Sequence, residues 1–229
     1  MTRTNSPSLW LLPLAVAVIP FVVTHVAWWL SLTAGTIESC NPYLAGCTSI
    51  SRAARYGLAN TLFQAVMVPM AAVHAATWFA ARRWLCTRHP LARCGASLVP
   101  LGLIAASALA VYALALGTEG DLYRWMRRFG ITFYFAGTYL AQLVFLQRLR
   151  ELEPRPTIPQ RGMTAIALVL LLMGLASTII SNAVADEVFK NQMENILEWH
   201  LGLLMTFWFV LMAWRMHPRF EAAASGQSS

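Results

Sequence analysis

Charge is what this sequence has least of. Only 12% of its 229 residues are Asp, Glu, Lys or Arg, about half of the roughly 25% typical of a soluble globular domain. That shortage excludes a surface turned mostly to water. With 58% hydrophobic residues and a mean hydropathy of +0.55, the solvent for most of the surface is lipid. Acidic residues are the scarcer sign, 10 against 17 Lys and Arg, for a net charge of +7. An excess of that size invites a nucleic-acid reading. The basic residues stand in short runs between apolar segments instead of along one polar face, so no nucleic-acid partner is expected. Several chemical signatures are missing as well. There is no Gly-x-Ser-x-Gly elbow, no His-Glu-x-x-His and no glycine-rich phosphate loop. Cys86, His89 and Cys94 lack a fourth ligand and a closed spacing, so neither a metal site nor a cofactor is expected. No internal repeat, heptad array or low-complexity tract is present.

What is there is long apolar runs. A spanning helix needs about 20 predominantly apolar residues, and six segments qualify: Leu9–Leu32, Gly57–Ala81, Ala96–Gly117, Phe129–Leu146, Met163–Ala185 and Leu197–Trp214. The expected fold is all-α, a polytopic membrane helix bundle forming a single integral membrane domain over residues 1–229. The first run ends in the small-residue-like Leu32-Thr33-Ala34, as a cleaved signal peptide does, but its apolar core is too long for one. An uncleaved span is the expectation.

With six spans the polar segments alternate sides. Arg3, the Arg82–Arg93 loop, the Arg148–Arg161 loop and Arg215 with Arg219 fall on one side and hold 11 of the 17 basic residues. The positive-inside rule then puts both termini in the cytoplasm and the first, third and fifth loops outside. A bacterial inner membrane or an endomembrane is the expected location. Cys40 and Cys47 flank Asn41–Gly46 in the first outer loop, where an oxidising compartment favours closure; pairing and incidental thiols both remain open. Cys86 and Cys94 fall on the cytoplasmic side and are expected to stay as thiols. The fourth loop carries Glu153-Pro154-Arg155-Pro156 and Pro159, a stiff connector. The tail after Pro218 is expected to be disordered. Trp28, Trp29, Trp78, Trp84, Trp125 and Trp199 fall near predicted helix ends, where indoles anchor at a lipid interface.

Polar side chains inside the spans are the functional leads, because each costs a few kcal/mol in hydrocarbon. Asn60 and Gln64 share a face at the start of the second span, and Asn182 and Asp186 at the end of the fifth. Ser49, Ser51 and Arg52 lie in the first outer loop, and Glu194, Asn195, Glu198 and His200 at the entry of the sixth span. Glu198 lies inside the apolar edge, between Leu197 and Trp199, and a carboxylate there needs a partner or a proton; Arg52 is the expected partner. The competing reading is that Glu194 and Asp186 are simply solvated helix ends. His200 stands about 200° around the helix from Glu198, which disfavours a Glu-His pair there. His25 and His74 come late in antiparallel spans, near opposite faces, so they do not jointly hold a metal or haem.

Two segments carry a resemblance. One is Cys40-Asn41-Pro42-Tyr43-Leu44-Ala45-Gly46-Cys47-Thr48-Ser49-Ile50-Ser51, followed by Leu62-Phe63 in the second span. The other is Asn195-Ile196-Leu197-Glu198-Trp199 opening the last. An Ile-Ser pair in the first outer loop, a Leu-Phe pair beyond it and a Glu-Trp pair at the final helix resemble the Frag/DRAM/Sfk family, which includes DRAM autophagy modulators and factors that remodel the lipid of GPI anchors. The chain departs from it at Ala54, where the family often has Gly, and at Leu58-Ala59, where it often has Pro-Glu. The resemblance implies a six-helix membrane protein, with Ser51 and Glu198, and more loosely Ser49, as the portable positions.

The leading expectation is therefore a bundle that binds or remodels a lipid or lipid-linked substrate from the outer leaflet, membrane lipid being its partner. Ser49, Ser51, Arg52, Asn60, Gln64 and Asn182 would line the site, with Glu198 as a general base. The alternative is a scaffold or regulator without catalysis, in which small residues such as Ala105, Ala106, Ser107 and Ala108 pack helices closely. A small-solute transporter ranks last, since paired broken helices are missing.

Overall fold

The computed structural model describes residues 8–88, 95–153 and 155–218. His89, Arg93, Cys94, Pro154 and the tail from Arg219 lie outside the described residues, as does Arg3. Among the described residues there are helices and no strand: α1 (Leu11–Thr33), α2 (Pro42–Ala45), α3 (Ile50–Ala53), α4 (Gly57–Cys86), α5 (Leu98–Ala115), α6 (Asp121–Leu152), α7 (Ile158–Ala183) and α8 (Glu187–Met216). All but α2 and α3 are long and apolar enough to cross a bilayer. The chain is an integral membrane protein of the multi-pass, all-α class.

Hydropathy marks the apolar middle of each helix and misses its charged ends. The fourth span extends from Phe129–Leu146 to Asp121–Leu152, and the sixth from Leu197–Trp214 to Glu187–Met216. Once a helix is nucleated, each further residue adds a backbone hydrogen bond. Pairs one turn apart support the polar ends, Arg148 with Glu151 and Lys190 with Glu187, each at 2.6 Å. Pro159 belongs to the first turn of α7, where its missing N–H is no loss. The fifth span stops at Ala183, so Asn182 and Asp186 do not share a helix. Asp186 instead caps α8, accepting from the Val188 and Phe189 N–H groups.

Neighbouring helices follow the order α8, α1, α4, α5, α6 around the bundle, and α7 lies along α8. The α5–α6 contact is close because its residues are small. A Cβ on Gly137 would stand 3.2 Å from that of Ala105, and one on Gly130 3.1 Å from the Ala108 carbonyl. Ser107 faces away, exposed. The end remote from α2 and α3 is solid: Trp78, Phe145, Trp208, Phe209 and Met212 are fully buried there. Arg215 is 3% exposed, pairs with Glu153 and lies over the Trp84 ring. The outer surface is apolar: Ile179 is 64% exposed, Phe79 59% and Leu172 55%. In water that surface would be an aggregation liability; in a bilayer it is wetted by lipid.

Two expectations are corrected. Trp78, Trp84 and Trp199 are buried, not interfacial. An indole N–H left in hydrocarbon is costly, and Trp78 and Trp199 bond inward, to His74 Nε2 at 3.0 Å and to the Thr48 carbonyl at 2.9 Å. Trp29 and Trp125 do face outward. Cys86 is disulfide-bonded rather than a free thiol. The thiol expectation was deduced from compartment, and so from orientation, which local geometry does not report.

Gly102 of α5 faces Trp78 so closely that a Cβ would fall 2.6 Å from the indole. Gly102→Val should overpack this contact by about 1–3 kcal/mol. Thermal unfolding in mild detergent checks it, with Ser107→Val on the exposed face of the same helix expected to change little.

Candidate functional site

The site begins with a loop that is more regular than its composition suggests. Between α1 and α4 the chain folds two single-turn helices, each with a side-chain cap. Asn41 Oδ1 accepts from the Tyr43 N–H at 3.0 Å and Pro42 occupies the first turn of α2; Ser49 Oγ accepts from the Arg52 N–H at 3.1 Å and starts α3. Gly46 ends α2 with φ +60°, and the Cys40–Cys47 disulfide closes around it, Cα to Cα 6.5 Å. Short helices cannot hold themselves in water or lipid. Their stability comes from what they are fastened to.

They are fastened to α8. Asn195 Nδ2 donates to the Gly46 carbonyl at 2.7 Å, and Trp199 Nε1 to the Thr48 carbonyl. The Ser51 N–H donates to Glu198 Oε1 at 3.3 Å, with the Ile50 N–H turned to the same carboxylate. Asn195, Glu198 and Trp199 recur at the spacing that puts side chains on one helix face. A Cβ on Gly46 would lie 2.2 Å from the Gln192 carbonyl oxygen, so the loop rests directly on the α8 backbone. On the other flank, Ser31 Oγ of α1 donates to the Ala53 carbonyl at 2.6 Å.

Under this roof is a chamber of about 90 Å³, walled by α1, α4, α5, α6 and α8. Its deep walls are apolar, with Val16, Met67, Met205 and Phe209. Its polar groups gather at the roof. Glu198 is half-buried and faces the chamber. Ser51 Oγ lies 3.1 Å from Ser49 Oγ, and Tyr112 of α5 lines the chamber together with Glu198. His25 and Tyr43 form a second pair. The Phe21 carbonyl must accept from His25 Nδ1–H at 2.7 Å, which leaves Nε2 to accept from the Tyr43 hydroxyl at 2.9 Å. Burial pushes the Tyr43 phenol up from its ordinary value, so it keeps the proton it donates. His25 and Tyr43 also pack on Trp199.

The residues singled out in the sequence divide into three places. Ser49, Ser51 and Glu198 come together at the roof. Asn60 and Gln64 share a face as expected but serve another end: both side-chain amides donate to the Leu116 carbonyl, at 2.9 and 2.7 Å, closing the C-terminus of α5. Asn182 is exposed, bonded back to the Thr178 carbonyl, and takes no part in the chamber. Arg52 is exposed and makes no ion pair with Glu198 among the described residues, because the α3 cap turns it outward. Arg55, one turn on, is the guanidinium that acts more strongly on Glu198 and on Tyr112. It is half-buried, and its Nε is shut from water without a hydrogen-bond partner. Glu194 accepts from Ser181 of α7, and His200 bonds back to the Ile196 carbonyl, so neither helps line the chamber. His74 lies in the floor core with Trp78 and Thr138.

Sequence reasoning missed Tyr112, Arg55, His25 and Tyr43. Tyr112 sits in an otherwise aliphatic run of α5, and a hydroxyl there needs a partner; that was the available signal. Arg55 was read only as a topology charge. No family model matches the chain, and no curated protein or solved structure matches it either.

Asn195→Ala should leave the Gly46 carbonyl without its donor and cost about 1–3 kcal/mol. A lowered unfolding temperature in detergent is the expected result. Adding Gly46→Ala should cost less than the two separate losses combined, since both act on one contact.

Proposed function

We propose that the chamber binds a lipid or lipid-linked molecule, with the polar end of the ligand under the roof and its apolar part in the bundle. The observation that carries this reading is the polarity of the chamber: an apolar interior with Glu198, Tyr112 and the His25–Tyr43 pair in its lining, Ser51 and Ser49 standing behind Glu198. Ligand sites are mostly apolar with a few placed polar groups, and ionisable side chains inside a membrane bundle mark substrate paths. Arg55 supplies the positive charge suited to a phosphate or carboxylate oxygen, in place of Arg52. If the bound lipid is remodelled, Glu198 is the base, taking a proton from an attacking hydroxyl or water. The resemblance to the Frag/DRAM/Sfk family supports the same reading, since its portable positions Ser51 and Glu198 meet in one place. With the basic loops inward, that place opens to the outer leaflet.

A second reading has its own observation. Glu198 accepts the Ser51 N–H and so fastens the roof, and in a scaffold that would be its whole task.

Glu198→Gln separates the two. The amide oxygen still accepts from Ser51, so the fold should hold, but the charge and the base are gone. Mass spectrometry of lipids co-purifying with the native protein should show a changed lipid class or acyl composition in the variant. An unchanged profile, with folding intact, favours the scaffold.

A further inference from the structure

We infer that one acyl chain enters the chamber sideways from the bilayer, between α6 and α8, and lies along α8 from Glu198 down to Phe209. This rests on the lipid reading above and adds to it the route, the part of the lipid that is swallowed and the leaflet it comes from.

The route follows from how the helices close, or fail to close, the ring. No residue of α7 lines the chamber, although α7 accompanies α8 from Ser181 against Glu194 at the roof end to Gly162 against Leu211 at the floor end. α6 meets α7 sparingly, from their connection up to mid-helix, where the Tyr139 hydroxyl donates to the Ala167 carbonyl at 3.1 Å. Toward the roof the two separate, and Leu175 and Ile179 of α7 stand 53% and 64% exposed. α6 and α8 meet toward the floor, where Gln142 Nε2 donates to Met205 Sδ at 3.1 Å and Phe145 packs on Trp208, and their backbones stay apart above that contact. Ile131 and Phe135 on α6 and Leu203 and Thr206 on α8 therefore form two rims, each residue half-buried and each lining the chamber. The space between them faces hydrocarbon, since the roof closes the end toward water.

Size and chemistry select the occupant. From Glu198 to Phe209 the helix rises about 16 Å at about 1.5 Å per residue. One leaflet of a hydrocarbon core about 30 Å thick is about 15 Å deep, so the chamber takes one chain of a lipid in the roof-side leaflet. Met67 and Met205 in its walls suit a flexible chain, because thioethers adapt to irregular apolar shapes. At the polar end the Glu198 carboxyl and the Tyr112 and Tyr43 hydroxyls stand where the head of the chain would lie. A phospholipid and a free fatty acid both offer that combination.

The test uses the full chain in phosphatidylcholine vesicles doped with either a phosphatidylglycerol or a fatty acid carrying a diazirine in mid-chain. After illumination and proteolysis, mass spectrometry locates the adducts. Adducts are expected on Phe135, Leu203 and Met205, and the doping arm that gives them names the source. Leu203→Trp at the mouth and Gly202→Leu inside should each lower them about tenfold, equivalent to about 1.4 kcal/mol. Adducts on the lipid-facing Phe207 should persist unchanged. Adducts confined to Phe207 and Ile179, or chamber adducts that neither variant reduces, overturn the inference. If Glu198→Gln still alters the co-purifying lipids, only the lateral entry fails; if it does not, the lipid reading falls too.

Discussion

Everything proposed for this protein depends on the fastening of a short loop to the face of one long helix. Asn195, Glu198 and Trp199 of α8 present an amide, a carboxylate and an indole N–H to the backbone of residues 46–51, and Gly46 lets that backbone lie on the helix without a Cβ between them. Release the loop and the chamber loses its lid, Ser51 loses its position beside Glu198, and the apolar interior becomes a water-filled cleft. Backbone groups at membrane depth are tolerated only where protein satisfies them. Here the satisfying groups are also the ones that give the site its chemistry.

That double duty explains the layout. A bundle filled throughout would have no use for a half-buried carboxylate at its edge. This one is solid at one end, where Trp78, Phe145, Trp208 and Phe209 fill the space, and hollow at the other, where polar groups ring the top. The solid half holds the helices in register, aided by the Arg215–Glu153 pair set against Trp84. The hollow half is free to be incomplete. Separation of α6 from α7 would be a defect in a water-soluble bundle; in a bilayer it exposes nothing but hydrocarbon to hydrocarbon.

The architecture was legible in the sequence because lipid imposes a coarse rule, about 20 apolar residues per crossing, that survives without any knowledge of packing. Helix ends were not, since Asp121–Arg128 and Glu187–Glu194 look polar yet continue as helix. Of the site, the part carried by costly polar positions was readable: Glu198, Ser51 and Ser49 do meet. Asn60 and Gln64 carry the same signal for a different reason, because a buried helix end needs donors as much as a ligand does. Arg52 and Arg55 show the limit most clearly. Both stand in the same loop with the same charge, yet Arg52 is exposed and Arg55 half-buried, a difference that spacing does not report.

The fastening itself is open to direct measurement by amide hydrogen exchange on the protein in lipid nanodiscs. If residues 46–51 are held on α8 as described, the Ser51 amide should exchange about as slowly as amides in the middle of α8, since both then open only with the bundle. Exchange of Ser51 at the rate of an open surface loop would show that the roof is not fixed, and the chamber with its polar end would go with it.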